Sequence, residues 1–480
     1  MKLGLADRIL RVVKRPVRAP PPSPLLVELL RRPAEGERWE SRSYPFSYRV
    51  TTDGQAPFYE VGCDLAQPVL AALRQTVRSA SESLDPADVD PLTFGRLVEV
   101  LAQNSAEALA RHGVKGRVKE LSELAAYEAI GLSRILALAR DDRVTEFYAD
   151  SEATPLYLDH ATAGRCETGL VLTKRETDAL QTHVDTFSGY TLDFKTPSMK
   201  NDLPVGGAVL RVSLDLEPLA VNRFQLDVRR LNISTLGLRE LIEMGVLGGD
   251  AAAMLVGWIE CGGNVTVIGE TGTGKTTLLN ALDEQVDRRL RRVYIEDAVE
   301  TRDLLGRGYH QAKVKVDPYE RGEETGRTKE SEIVKALHRS PDLVILSEIQ
   351  SEEHSRAFFH ALASGARGIQ TFHASTIEQA VRRWVNLHHI SEPSLLDLGL
   401  LVQMARPDRL KQQRYVQRIS AMTADGGAPR IKELYMRDRA SRLRNVAGDG
   451  WPRPPEGSEP GRLAEKIALA AQRIGSGKGP

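Results

Sequence analysis

The chain has 480 residues and a mass of 53.0 kDa, about three times the ~150 residues of an ordinary domain, so several compact units are expected. Lys plus Arg and Asp plus Glu both number 65, which excludes an overall basic nucleic-acid binder and leaves open only a local basic patch. A content of 41% hydrophobic and 27% charged residues excludes wholesale disorder.

Residues 2–15 set Leu3, Leu5, Ile9, Leu10, Val12 and Val13 among Arg8, Arg11, Lys14 and Arg15. This predicts a short basic amphipathic helix, either docking on a membrane surface or partner or forming a solvated terminus. Pro16, Pro20, Pro21, Pro22 and Pro24 then predict an extended tether. The start lacks the long apolar stretch and small-residue cleavage site of a signal peptide. The best apolar run, Ala251 to Ile259, stops at Glu260, short of the ~18 residues a spanning helix needs. Cys63, Cys166 and Cys261 are too few and too scattered for a disulfide framework or a four-cysteine zinc module. The expectation is a cytoplasmic protein in a reducing compartment.

From about Tyr44 the chain alternates like strands (YPFSYRV, then PFYEVG) and then turns helical to about residue 140. VTEFYADSEATPLYLDH at 144–160 reads as two strands around a proline turn. ETGLVLTKRETDALQTHV supplies a strand and a helix, and VLRVSLDL and FQLDVRR supply further strands. The expected organisation is a basic, proline-rich segment at 1–43, an N-terminal α+β region at 44–125, a second α+β domain at 126–232 and a linker at 233–249. Strands NVTVIG, RRVYIED, PDLVILSE and GIQTFHA alternate with helices over 250–435, which predicts a sheet with crossover helices. A tail at 436–480 with a short helix, RLAEKIALAAQR, closes the chain.

The chemistry is concentrated in the α/β region. GETGTGKTT, residues Gly269, Glu270, Thr271, Gly272, Thr273, Gly274, Lys275, Thr276 and Thr277, fits a phosphate loop. Its glycines let backbone N–H groups curl around phosphate oxygens, Lys275 brings a point charge, and the Thr276 hydroxyl suits Mg²⁺. The following helix turns its positive end to the anion. RVYIEDAVETRD places Glu296, Asp297 and Glu300 at a strand's carboxyl end, the ligand side of an open α/β sheet; a solvated strand end is the alternative. Glu348 ends the apolar strand of SPDLVILSEIQ, where a carboxylate polarises attacking water or holds the metal. Thr371 and His373 end a further strand, either as γ-phosphate sensors or as structural groups. His310, His338, His354, His360, His388 and His389 show no ligand spacing, and structural or surface roles are expected for them.

These four segments, in this order, resemble the secretion ATPase superfamily that drives type II and type IV secretion, type IV pili and archaeal surface filaments. The resemblance covers roughly residues 126–435 and is closest to archaeal pilus and archaellum-type motors. It makes GETGTGKTT the Walker A loop, YIEDAVE the aspartate box, LVILSE the atypical Walker B and QTFHA the histidine box. It implies a RecA-like ATPase domain behind a smaller PAS-like α+β domain and a further N-terminal region. It implies ATP and Mg²⁺ as cofactors, with Thr276, Glu348 and Asp297 around the metal and Glu348, Glu296, Glu300 and His373 in catalysis. Arginines of the preceding domain reach the nucleotide in that family, and Arg211, Arg229 and Arg230 occupy similar contexts. Ser347 replaces the family's glycine before Glu348, Gln350 stands where many bacterial members have arginine, and Ala366 follows Gly365 where they often have another histidine.

The resemblance therefore implies a cytoplasmic ATPase ring, a homo-hexamer at the cytoplasmic membrane, working on a polytopic membrane platform protein in filament assembly or secretion. A RecA-like motor moving nucleic acid is the alternative. Neutral charge and 5% aromatic content supply no stacking platform for it, so no specific nucleic-acid partner is expected. A nucleotide-gated scaffold with little turnover is a third reading, motivated by Ser347 and Gln350.

Overall fold

The computed structural model describes residues 37–52, 56–63, 65–82, 93–152, 154–188, 192–231, 236–316, 328–406, 413–438, 442–448 and 460–476. The amphipathic segment and proline tether expected before Pro24 lie outside them. Two compact units divide the chain, residues 1–233 and 234–480.

The first unit carries strands β1 (Glu37–Ser43), β2 (Phe46–Thr52), β3 (Phe58–Cys63), β4 (Val144–Ala149), β5 (Pro155–His160), β6 (Gly164–Val171), β7 (Ser198–Val205), β8 (Ala208–Leu216) and β9 (Phe224–Leu231). They form one sheet in the order β1-β2-β3-β6-β5-β4-β9-β8-β7. The regions expected to be separate at 44–125 and 126–232 meet in it, because β3 pairs in parallel with β6 through Phe58↔Glu167 and Tyr59↔Thr168. Tyr48, Tyr59 and Val61 share a core with Leu156, Leu158 and the helices Phe94–Arg111 and Val118–Ala129. The Tyr59 hydroxyl donates to Asp141 Oδ2 at 2.7 Å, and the Tyr48 hydroxyl to Ala137 O at 3.0 Å. Alternation reveals a strand's buried face but not its neighbour, so this merger is invisible in the pattern. β7, SMKNDLPV, was not expected as a strand; Lys200, Asn201, Asp202 and Pro204 mask it, and its edge position tolerates them.

The second unit carries β10 (Val265–Gly269), β11 (Arg292–Glu296), β12 (Gln311–Lys315), β13 (Leu343–Ile349), β14 (Gly368–His373), β15 (Leu400–Ala405), β16 (Tyr415–Asp425), β17 (Ala428–Arg437) and β18 (Leu443–Asn445). Their order is β12-β11-β13-β14-β10-β15-β16-β17-β18. Pairing is parallel from β12 to β15 and antiparallel from there on. The middle strands are buried on both faces, so VTVIG and RVYIE are entirely interior, as helix-covered parallel strands require.

The expected linker and tail are both packed into this unit. Leu238 and Leu241 of the helix Leu238–Glu243 are core residues, as are Leu463 and Ala470 of the helix Pro460–Ser476. That last helix lies on the helix Gly249–Glu260 so closely that a Cβ on Gly257 would stand 2.8 Å from Ile467 N. The side chain of Glu260 pairs with Lys466 at 3.2 Å and Arg473 at 2.7 Å. Among the described residues, no helix is long and apolar enough to cross a membrane.

Candidate functional site

β10 delivers Gly269 to the carboxyl edge of the sheet, and the chain turns through Glu270–Thr273 into the helix Lys275–Asp283. Gly272 and Gly274 have φ of +76° and +90°, a conformation that only glycine adopts without strain. At Gly269 the constraint is space: a Cβ would meet Thr273 Oγ1 at 2.5 Å and Met404 Cβ at 3.1 Å. Lys275 is 7% exposed. Its ammonium donates to the carbonyls of Gly269 and Glu270, both at 3.0 Å, and to His373 Nδ1 at 3.3 Å. Glu270 and Thr271 lie exposed on the lip, with Thr276 and Thr277 half-buried behind it.

Parallel register explains the histidine contact. Gly269 pairs with His373 across β10 and β14, so the strand ends meet under the loop. A lysine ammonium only donates, so His373 Nδ1 accepts and the ring proton sits on Nε2, which bonds to Glu348 Oε1. Lys275, His373 and Glu348 thus form one chain. Burial, the largest influence, opposes ionisation of the Glu348 carboxyl, but the His373 hydrogen bond and nearby positive charge, that of Lys329 included, together outweigh it and hold the carboxyl below its ordinary value. Its other oxygen accepts from Gln350 Nε2. The register of β13 on β14 shifts between Leu346 and Ile349, and this irregularity at Ser347–Glu348 re-aims the side chains there, as bulges beside sites do.

The acidic segment after β11 divides into different tasks. Glu296 is 1% exposed and accepts from the amides of Glu300 and Thr301, at 3.0 and 2.9 Å, and from Thr301 Oγ1 at 2.6 Å. Burial pushes its carboxyl up. This carboxylate builds the turn that presents Glu300. Glu300 Oε2 accepts from Thr276 Oγ1 at 2.9 Å, so the loop threonine and an acidic side chain stand together. Asp297 pairs instead with buried Lys329 at 2.9 Å, and that ammonium also donates to the Glu348 carbonyl at 2.8 Å. The structure therefore pairs Thr276 with Glu300; the metal set expected from the resemblance was Thr276, Asp297 and Glu348.

The arginines expected to reach nucleotide all belong to the first unit. Arg211 pairs with Asp202 at 3.0 Å and exposed Arg229 with Glu146 at 3.4 Å. Arg230 is spent on backbone carbonyls, those of Val144 at 3.2 Å and Asp141 at 2.8 Å, together with that of Ala139.

Three groups at the site carried no recognisable signal in the sequence. Lys329 lies in a helix reading KESEIVKA, where a lysine looks like an ordinary surface charge. Arg383 donates to the carbonyls of His373 at 2.7 Å and Gln350 at 2.8 Å, bracing the two strand exits. Arg406 follows β15, whose sequence LLVQMA is buried on both faces and lacks the alternation that marks a half-buried strand. Of the six histidines expected to have structural or surface roles, His354 and His388 are buried and held below their ordinary values, chiefly by burial.

A family model described as "Type II/IV secretion system protein" matches residues 198–418. An uncharacterised protein of Methanocaldococcus jannaschii is 28% identical over 47% of this chain and 32% of its own length. A second uncharacterised protein of that organism is 30% identical over 42% of this chain and 72% of its own. The type IV secretion system protein PtlH of Bordetella pertussis is 35% identical over 26% of this chain and 36% of its own length. The chain thus spans about a third of the length of the first of these relatives.

Proposed function

Because the chain belongs to the type II/IV secretion system protein family, we propose that it is an ATP-hydrolysing motor of a secretion or type IV pilus-like system, acting as a homo-hexameric ring on a polytopic membrane platform at the cytoplasmic face. The observation that carries this reading is the chain Lys275–His373–Glu348 beside a loop built to wrap phosphate. A surface loop that merely resembled a phosphate loop has no use for a carboxylate and an imidazole aligned on its lysine.

Phosphate oxygens compete with the Gly269 and Glu270 carbonyls for the Lys275 ammonium, and the backbone N–H groups at the helix start complete the cradle. Thr276 Oγ1 and Glu300 Oε2, 2.9 Å apart, form a pair of hard oxygens that fits Mg²⁺, which favours oxygen and leans on one or two carboxylates plus substrate phosphates. When bound, the metal neutralises charge on the β- and γ-phosphates. Glu348 orients the attacking water, and His373 keeps its proton on Nε2 and so keeps that carboxylate ionised and aimed. Arg211 and Arg229 are the side chains proposed to reach a neighbouring subunit's nucleotide. Recovery of hydrolysis on mixing inactive Arg211→Ala and Lys275→Ala chains tests that sharing, and no recovery removes it.

The test of the main reading is hydrolysis by the full chain with Mg²⁺ and ATP. Lys275→Ala should lose both binding and turnover, whereas Glu348→Gln should keep nucleotide and stop turning over. Turnover at the wild-type rate in Glu348→Gln would sink the assignment, and strong stimulation by DNA would favour the nucleic-acid motor.

A further inference from the structure

We propose that Arg406 and Arg414 form a second cationic flank of the nucleotide site and hold the nucleoside-proximal phosphates, the part of the ligand that ADP and ATP share. This rests on the reading of residues 269–277 as a phosphate loop and adds binding residues to it.

Sheet order is the starting point. β10, which carries the loop, lies between β14 and β15. Every hydrolytic group described above, His373 and Glu348 with the Lys275 ammonium bent toward them, lies on the β14 side. On the opposite side the last register pair is Ile268↔Gln403, so Met404, Ala405 and Arg406 run on beside the loop itself. Met404 Cβ is 3.1 Å from the position a Cβ would take on Gly269. One step further, Arg406 Nη1 is 3.4 Å from the corresponding position on Gly272.

Arg414 arrives from the partner strand. β16 pairs with β15 through Ala405↔Tyr415, so Arg406, just after β15, and Arg414, just before β16, flank that pair at the end facing the loop. Arg414 Cδ is 3.6 Å from the Cβ position of Gly274, and Met404 Cε is 3.8 Å from it. Both arginines are half-buried. Two guanidinium-bearing side chains therefore stand against the two left-handed glycines of the loop, on the flank opposite its lysine. A Cβ at either glycine would lie in ordinary van der Waals contact with them.

The chemistry favours phosphate. A guanidinium stays charged at any physiological pH and can grip phosphate oxygens bidentately, and its flat face can stack on an aromatic base. A nucleotide whose γ-phosphate lies toward Glu348 directs its remaining phosphates along the loop, away from the β14 side. Among the described residues, Arg406 and Arg414 are cations placed on that other flank. Their contribution is to binding, equal for di- and triphosphate, and not to the hydrolytic step.

The experiment measures dissociation constants of a fluorescent ADP analogue for the full-length wild type, Arg406→Met, Arg414→Met and the double variant, together with kcat and KM for ATP. Loss of one charge-assisted contact should weaken ADP by about ten-fold per arginine. KM for ATP should rise by the same factor while kcat at saturation stays near wild type. Arg406→Lys and Arg414→Lys should recover only part of the affinity, and they guard against a fold defect in the methionine variants. Unchanged ADP affinity in the double variant, or a collapse of kcat at constant KM, would overturn the proposal. Wild-type protein that binds no ADP would instead overturn the phosphate-loop reading beneath it.

Discussion

Gly269 and His373 face each other in the parallel pairing of β10 and β14, and the imidazole of the second stands 3.3 Å from the lysine that the first's loop supports. The Lys275 ammonium and the Glu348 carboxylate, proposed as phosphate grip and water-orienting group, are therefore joined through one ring. His373→Ala should cut kcat by ~10²-fold, the lower end of what a positioned acid–base partner supplies, with a small change in KM. Glu348 also loses a hydrogen bond that helps hold its carboxyl low, so its value rises. The acid limb of the kcat–pH profile should move to higher pH. An unmoved limb would separate His373 from Glu348.

Two glutamates four residues apart should behave differently. Glu300→Gln weakens the oxygen pair with Thr276, and the Mg²⁺ concentration for half-maximal hydrolysis should rise several-fold at unchanged thermal stability. Glu296→Gln puts an amide donor where a buried carboxylate accepts three hydrogen bonds. It should cost ~1–3 kcal/mol of stability, read from denaturant unfolding, with its Mg²⁺ requirement unaltered. Equal Mg²⁺ shifts in the two variants would contradict this division.

Much of this site was legible because short-range grammar dictates it. A β-branched strand, a glycine loop and a lysine at a helix start are local, so Gly269–Thr277 could be read directly. Glu348 and His373 could be read because they terminate apolar strands. What joins them is sheet order, which depends on pairings between segments about a hundred residues apart. The contact of Lys275 with His373, the choice of Glu300 over Asp297 beside Thr276, and the place of Lys329 all follow from that order. The merger of the two N-terminal regions is the same kind of fact, since Phe58 and Tyr59 carry no mark naming β6 as their neighbour. The closing helix shows the limit from the other side: proline-rich surroundings suggested a tail, while Gly257 had been left bare to receive Ile467.

Gly368 tests how tightly the strand ends are set. It opens β14 opposite Val344, and a Cβ there would stand 1.8 Å from the Val344 carbonyl oxygen. Backbone cannot yield as a flexible side chain does, so Gly368→Ala must part β13 from β14 or shift their register. The expected loss is ~3 kcal/mol or more, the upper range for overpacking. Hydrolysis should fall with it, because Glu348 and His373 sit on those strands. Wild-type unfolding and turnover in this variant would show that the pairing is looser than described.

Acid should act on the first unit through His183. Its Nε2 lies 3.1 Å from the Ile130 carbonyl, and Nδ1 is buried with no partner among the described residues. The rings of Phe94 and Phe187 flank it at 5.6 and 6.3 Å. Burial disfavours the charged form and pushes the imidazole down to about 4 from its ordinary 6.5. Between those values the unfolded chain takes up a proton that the folded chain refuses. The stabilisation is fully present above pH 6.5 and is lost as pH falls toward about 4, by ~2 kcal/mol at pH 5. His183→Leu removes the titrating group, whatever it does to stability at pH 7. Hydrogen exchange in the helix Lys174–Ser188 should then accelerate between pH 7 and 5, after correction for intrinsic rates, in the wild type and much less in the variant. Equal acceleration in both would move the acid sensitivity of this unit to another group.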